Sequence, residues 1–205
     1  ARRGAVFFTH LLLWQAKRSM ASLLDLAGKP DQSPRWRREA DALAARLREK
    51  FWDKIGGFFV DTSEHPVFSS DANLGAVAWG FSTEAESERI LKALDRLGLM
   101  TPIGPRASQR YPLSQKGWLS LFAGIHGYHD DYVWVWNSAL ALTAFRRMGL
   151  LSRREALLDG ICRMLDKQGE LGEVYHADGV PVRTWLYRSE SPFSWSSGMF
   201  LEAVS

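Results

Sequence analysis

The sequence predicts an all-α fold, a toroid of helical hairpins (α/α) with minor β structure in its loops. Two observations predict it. Helices of two kinds alternate along the chain, one amphipathic and heavily charged, the other apolar nearly all round and rich in small residues. Connections from an apolar helix to the next charged one are short, whereas the returns are long.

Taken in order, a first helix over about 5–27 leans toward the apolar kind. Residues 34–51 then place Trp36, Ala40, Leu43, Leu47 and Phe51 on one face at steps of three and four, the period of a half-buried helix. Ser33 followed by Pro34 reads as a cap and a first-turn proline. Gly57-Phe58-Phe59-Val60 forms a short β piece, and 72–81 (ANLGAVAWGF) an apolar helix. The next charged helix, 84–97, carries Ile90, Leu91, Leu94 and Leu97 and opens with a capping box from Thr83 to Glu86. An apolar helix follows at 134–145, then a charged one at 153–168 with Leu157, Leu158, Ile161 and Leu165, opened by Ser152 and Glu155. Val180–Leu186 is a second β piece, and 195–204 the last apolar helix.

A helix without a polar face must be buried on every side, so the apolar helices form an inner ring and the charged ones an outer ring. The long loops 52–71, 98–131 and 169–194 all precede inner helices, whereas Gly80–Thr83 and Gly149–Ser152 are tight turns. Long loops in compact domains usually serve function, and a ring gathers these three at one mouth. The count is four inner and three outer helices, and a closed ring of six hairpins needs twelve. Residues 1–205 are therefore expected to form a single, partial toroid domain, completed by another copy or by preceding sequence. Ala1, with no Met, already lies close to a helical pattern, as in a processed or partial product.

Composition narrows the function. Nine Trp, eleven Phe and five Tyr exceed what packing alone asks for, and rings with polar edges suit a site for something flat and polar. The net charge of +3 is spread along the helices and makes no basic face, which argues against nucleic acid. No run approaches the ~18 continuous apolar residues of a membrane span. The stretch Ala5–Trp14 follows two arginines but continues through Gln15, Lys17 and Arg18 without a cleavage site, so it reads as a helix and not a signal peptide. Cys162, the single cysteine, lies beside Ile161 and Leu165 and is expected to be a core thiol. Both observations suit a cytoplasmic protein.

Four segments, FWDKIGGFF (51–59), SSDANLGAVAWGF (69–81), GYHDDYVWVWNSALAL (127–142) and GEVYHADGVP with YRSESPFSWSSGMFLEA (172–181 and 187–203), carry a family likeness. In order and spacing the chain resembles the C-terminal part of bacterial amylo-α-1,6-glucosidase-like and alkaline-invertase-like glycoside hydrolases of the six-hairpin glycosidase superfamily. The resemblance implies the C-terminal part of an (α/α)6 barrel and an inverting hydrolase of an α-linked oligosaccharide or glucoside. It makes Glu173 the general base. Residues 128–131 read Tyr-His-Asp-Asp where relatives often have Tyr-His-Asn-Gly. The family's general acid comes from the N-terminal half, so it is expected to be missing here.

Hydrolysis with inversion needs two carboxyl groups about 6.5–9.5 Å apart, one protonating the leaving oxygen and the other activating water. Without the motif, Glu173 would read as a solvated loop residue. Asp71 opens a buried helix, where it is an N-cap, a ligand for sugar hydroxyls with Asn73, or a runner-up acid. Tyr128, His129, Asp130, Asp131, Trp134 and Trp136 form the densest polar-aromatic cluster, suited to stacking on sugar rings and binding hydroxyls. Trp134 and Trp136 would point about 200° apart on a helix, so at most one faces the site. Arg106 either binds substrate or braces its loop against an acid. Tyr175 joins the expected sugar-binding set, and Trp195 with Phe193 marks the pocket floor. His126, His129 and Asp130 lack further ligands at a recurring interval, so no metal is expected, and no phosphate loop suggests a cofactor.

Two rival readings remain. One is an N-acylglucosamine epimerase-like sugar isomerase, which would need paired histidines that the five His here do not supply. The other is a non-catalytic carbohydrate-binding remnant. The expected partners are a carbohydrate substrate and either the N-terminal half of the same enzyme or a homo-oligomer.

Overall fold

The computed structural model describes residues 4–205. The long helices are α1 (Phe7–Leu26), α2 (Ser33–Phe51), α3 (Ser70–Ala78), α4 (Glu84–Arg96), α6 (Val135–Arg147), α7 (Leu151–Gln168) and α8 (Ser194–Val204). A short α5 (Trp118–Phe122) lies inside the longest loop, in a stretch without helical periodicity. Helix α1 packs on α3, α3 on α6 and α6 on α8, while α2, α4 and α7 back α1, α3 and α6 in turn. The alternation read from the sequence is thus an inner arc with an outer arc behind it.

The inner helices earn their places by what they lack. Every residue of α3 is buried, as are ten residues of α6. The ends of the arc differ: α1 exposes Leu12, Leu13 and Leu23, and α8 exposes Leu201. The outer helices carry single apolar stripes, such as Ala40, Leu43, Leu47 and Phe51 on α2. Cys162 falls off the stripe of α7, which runs through Leu157, Gly160, Ile161 and Met164. It is exposed, correcting the expected core thiol.

Helix starts are partly as expected. Thr83 and Glu86 form the reciprocal capping box at α4. Ser33 instead lies within α2, donating its hydroxyl to the Pro30 carbonyl, and Gln32 takes the cap position. Helix α7 begins at Leu151 behind Leu150, so Ser152 and Glu155 sit inside its first turns without a side-chain cap.

Among the described residues the sheet structure consists of three two-residue pairs. Trp52–Asp53 (β1) pairs with Phe58–Phe59 (β2), and Met100–Thr101 (β3) with Gly104–Pro105 (β4). Val133–Trp134 (β5) pairs with Val174–Tyr175 (β6). Val180–Leu186 makes no strand; Pro181 and Arg183 form only isolated bridges, to Tyr175 and Arg188. Further bridges, Ser69 to Ser108 and Arg106 to Val133, stitch the three long loops together at one end of the arc.

Packing between the arcs is close where α7 meets the β3–β4 turn. A Cβ on Gly160 would stand 1.8 Å from the Pro102 carbonyl oxygen, a backbone atom that cannot swing aside. Gly160→Ala is expected to lower stability by about 1–3 kcal/mol through overpacking. Gly198, with nothing within 4 Å of its ideal Cβ, serves as the control. Gly198→Ala should be neutral or stabilising by up to about 1 kcal/mol, both read from urea unfolding curves.

Candidate active site

The stitched loops enclose a cavity of about 450 Å³. Its aromatic wall is set by backbone, in a way that helical geometry alone does not give. Trp134 is the extended residue of β5 that precedes α6, and Trp136 lies in the first turn. The angular step of a helix therefore does not separate them. Both line the cavity, with ring centroids 6.3 Å apart, which corrects the expectation that only one would. Trp136 stacks on Trp195 at 4.8 Å with planes 8° apart, and Trp195 stays 51% exposed. Phe8 of α1 closes the stack behind Trp136 at 5.7 Å.

Tyr128 joins this wall to the acid. Its ring meets Trp134 edge to face at 4.8 Å, and the Trp134 indole N–H donates to its carbonyl at 3.0 Å. Its hydroxyl donates to Glu173 Oε1 at 2.5 Å. Glu173 is 8% exposed, and its other oxygen, Oε2, accepts from the Tyr187 hydroxyl. The residue stands directly before β6, and its own N–H donates to the Glu190 carbonyl at 2.8 Å. Burial first, then the hydrogen bond to the Glu173 carboxylate and its charge, raise both phenols above their ordinary value of 10.0.

Asp71 lines the same cavity from the first turn of α3. It is not the N-cap, a place Ser69 holds without capping the helix through its side chain; its Oδ1 accepts from the Ala72 N–H at 2.7 Å and from the Ser69 hydroxyl. His129 also lines the cavity, its ring edge-on to Tyr128 at 5.1 Å. Asp130 is there as well but spent: its carboxylate accepts the Tyr111 and Asp131 N–H groups and pairs with Lys116 at 2.7 Å.

Three expected sugar ligands are corrected. Asn73 is 0% exposed; its Oδ1 accepts the Phe59 N–H and its Nδ2 donates to the Phe59 and Ser69 carbonyls, so it ties β2 to α3. Arg106 takes the bracing role, with Nη1 2.9 Å from the Asp131 carbonyl and 3.5 Å from its carboxylate. Tyr175 is 1% exposed, its hydroxyl accepts the Gly172 N–H, and it borders a separate polar recess. In each case a backbone group claims the side chain. Sequence reasoning missed Tyr187, Lys116, Tyr111 and Asn137 at or beside the cavity. Tyr187 and Asn137 had a signal, as members of the YRSESPFSW and GYHDDYVWVWNSALAL segments. Among the described residues no three His, Cys, Asp or Glu side chains gather into a metal-binding group, and no helix is long and apolar enough to cross a membrane.

A helical arc whose joined loops hold a carboxylate beside stacked indoles defines the class, an α/α toroid of the six-hairpin glycosidase type. Within it, the chain belongs to the mannosylglycerate hydrolase MGH1-like glycoside hydrolase domain family, whose profile matches residues 2–196. That family lies in the superfamily indicated by the sequence motifs, beside the amylo-α-1,6-glucosidase-like branch. Solved structures share the fold. Neutral trehalase Nth1 from Saccharomyces cerevisiae is 18% identical with a TM-score of 0.65, over 95% of this chain and 36% of that one. A mannosylglycerate hydrolase of family GH63 from Thermus thermophilus, in complex with glucose, is 20% identical with a TM-score of 0.67, over 96% and 47%. The chain therefore spans less than half the length of these relatives. No curated protein matches the sequence significantly.

Alkaline stability should report the phenols. An ordinary tyrosine ionises near pH 10 in the unfolded chain, while folded Tyr128 and Tyr187 keep their protons to higher pH. Their contribution is complete below pH 10 and is lost as pH rises through the folded values. Thermal melts across pH 9 to 12 (roughly the range of phenol ionisation) should therefore fall more steeply for the wild type than for the Tyr128→Phe, Tyr187→Phe double variant.

Proposed function

We propose that this chain supplies the base-bearing, sugar-binding part of an inverting glycoside hydrolase acting on an α-linked oligosaccharide or glucoside. The observation that carries the reading is the Glu173 carboxylate, nearly buried and bonded to Tyr128, which lines the indole-walled cavity. In this reading Glu173 takes a proton from water. The oxygen attacks the anomeric carbon from the face opposite the leaving group, and an acid on the far side protonates the departing oxygen. The Trp136–Trp195 stack and Trp134 supply faces for pyranose C–H groups, while Asp71 and His129 bind hydroxyls. The acid comes from the part of the toroid outside this chain, with Asp71 as the runner-up within it.

Two facts support that division of labour. The chain spans 36% to 48% of the solved relatives, and the end helices α1 and α8 leave apolar residues exposed. Exposed contiguous apolar surface marks an interaction site. We place the N-terminal half of the same enzyme there, closing the ring.

In protein containing the complete ring, Glu173→Gln should lower turnover of an α-glucoside by about 10²–10⁴-fold, the usual weight of a general base, with sugar binding retained by calorimetry. Proton NMR of the first product should show the β-anomer. A loss under about tenfold would remove Glu173 from the role, an α-anomer would overturn inversion, and interconversion of free monosaccharide without glucose release would put the isomerase reading in its place.

A further inference from the structure

The base assignment asks only that Glu173 stand near water and substrate, yet both of its oxygens already carry a donor. The donors come from different sides. Tyr128 lines the cavity, whereas Tyr187, fourteen residues after Glu173, stands outside the lining. Their rings meet edge to face at 5.7 Å. Each is itself fixed. Tyr128 is held by the Trp134 indole and by the His129 ring. Tyr187 is held through Thr184, whose N–H donates to the Tyr187 carbonyl at 2.7 Å and whose hydroxyl donates to the Ala123 carbonyl at 2.6 Å. The loop after β6 is thereby fastened to the loop that follows α5.

We infer that Tyr187 and Tyr128 form a two-phenol clamp that orients the Glu173 carboxylate for proton abstraction, with Tyr187 a positioning residue acting from behind and Tyr128 serving as both clamp and cavity wall. A carboxylate has about four lone-pair directions. One phenol on each oxygen stops the group rotating and leaves a lone pair on each to receive the proton of water. The clamp's chemical purpose rests on the hydrolase reading; its existence does not. The titratable groups around it are Tyr128, Tyr187 and Glu173 themselves, Glu190, whose charge acts on Tyr128, and His129 against the Tyr128 ring.

Tyr187→Phe removes one donor and keeps the ring. In protein containing the complete ring it should lower kcat about 10–100-fold while KM stays within about twofold, the pattern of an interaction that acts in the transition state. In a Glu173→Gln background the same change should cost nothing further, because it acts only through that carboxylate. Absorbance titration of the phenols gives a reading independent of turnover. Two of the five tyrosines should ionise earlier in Glu173→Gln than in the wild type, as removal of the carboxylate's charge requires. Unmoved phenols in Glu173→Gln, or an unchanged kcat in Tyr187→Phe, would overturn the clamp. Phenols that move together with no glycoside hydrolysed would uphold the clamp and remove the hydrolase reading instead.

Discussion

The site depends on a ladder two residues long. Pairing Val133 with Tyr175 and Trp134 with Val174 brings the start of α6 against a loop that begins some thirty residues later in the chain, at about 169. So short a pair is not stable alone. It persists because Val133, Val174 and Tyr175 are buried and because Arg106 continues the pairing on the far side of Val133. The ladder's register decides which side chains share a face. Side chains alternate along an extended strand, so a slip of one residue would turn Trp134 and Glu173 to the wrong faces.

The helices serve the ladder by giving the loops a rigid base. Helix α3 is buried throughout, and Asn73 extends its hold upward by satisfying both backbone groups of Phe59. A solvated amide would gain little there, but a buried backbone pair left unsatisfied costs about 1–3 kcal/mol for each group. That cost explains why a residue of sugar-binding type is spent on structure. The same logic holds for Arg106, which braces the Asp131 turn, and for Tyr175, which satisfies the Gly172 N–H.

These substitutions of role mark the boundary of what the sequence discloses. Helix kind is legible because it is periodic: an absent polar face on 72–81 or 134–145 has one physical outcome, burial. The capping box at Thr83 is legible because both partners sit at a fixed interval. Cys162 is misread by proximity, since one step along a helix turns a side chain about 100° away from its neighbour. The Trp134–Trp136 pair fails for a sharper reason. The helical angle does not carry across a boundary where the backbone is extended, and boundaries are the least periodic part of any pattern. Tyr187 is the hardest case: its partner lies across an irregular loop, and no interval in the chain encodes a loop's path. Motif resemblance draws attention to Glu173 and to the cluster at 128–136, but nothing local reveals which hydroxyls meet the acid.

The choice of phenols has a consequence that a cation would not have. At Asp130 the carboxylate is paired with Lys116 and bonded to two backbone N–H groups. Its charge is neutralised in place, and it serves to shape the loop. At Glu173 the donors are neutral, and among the described residues no cation forms an ion pair with it. Hydrogen bonds from neutral groups fix a carboxylate's orientation without cancelling its net charge. A lysine in place of Tyr187 would orient the group as well but offset its charge. The two carboxylates thus divide according to the charge of their partners, Asp130 held by a cation at the cavity wall and Glu173 by two phenols, one of which lines that wall.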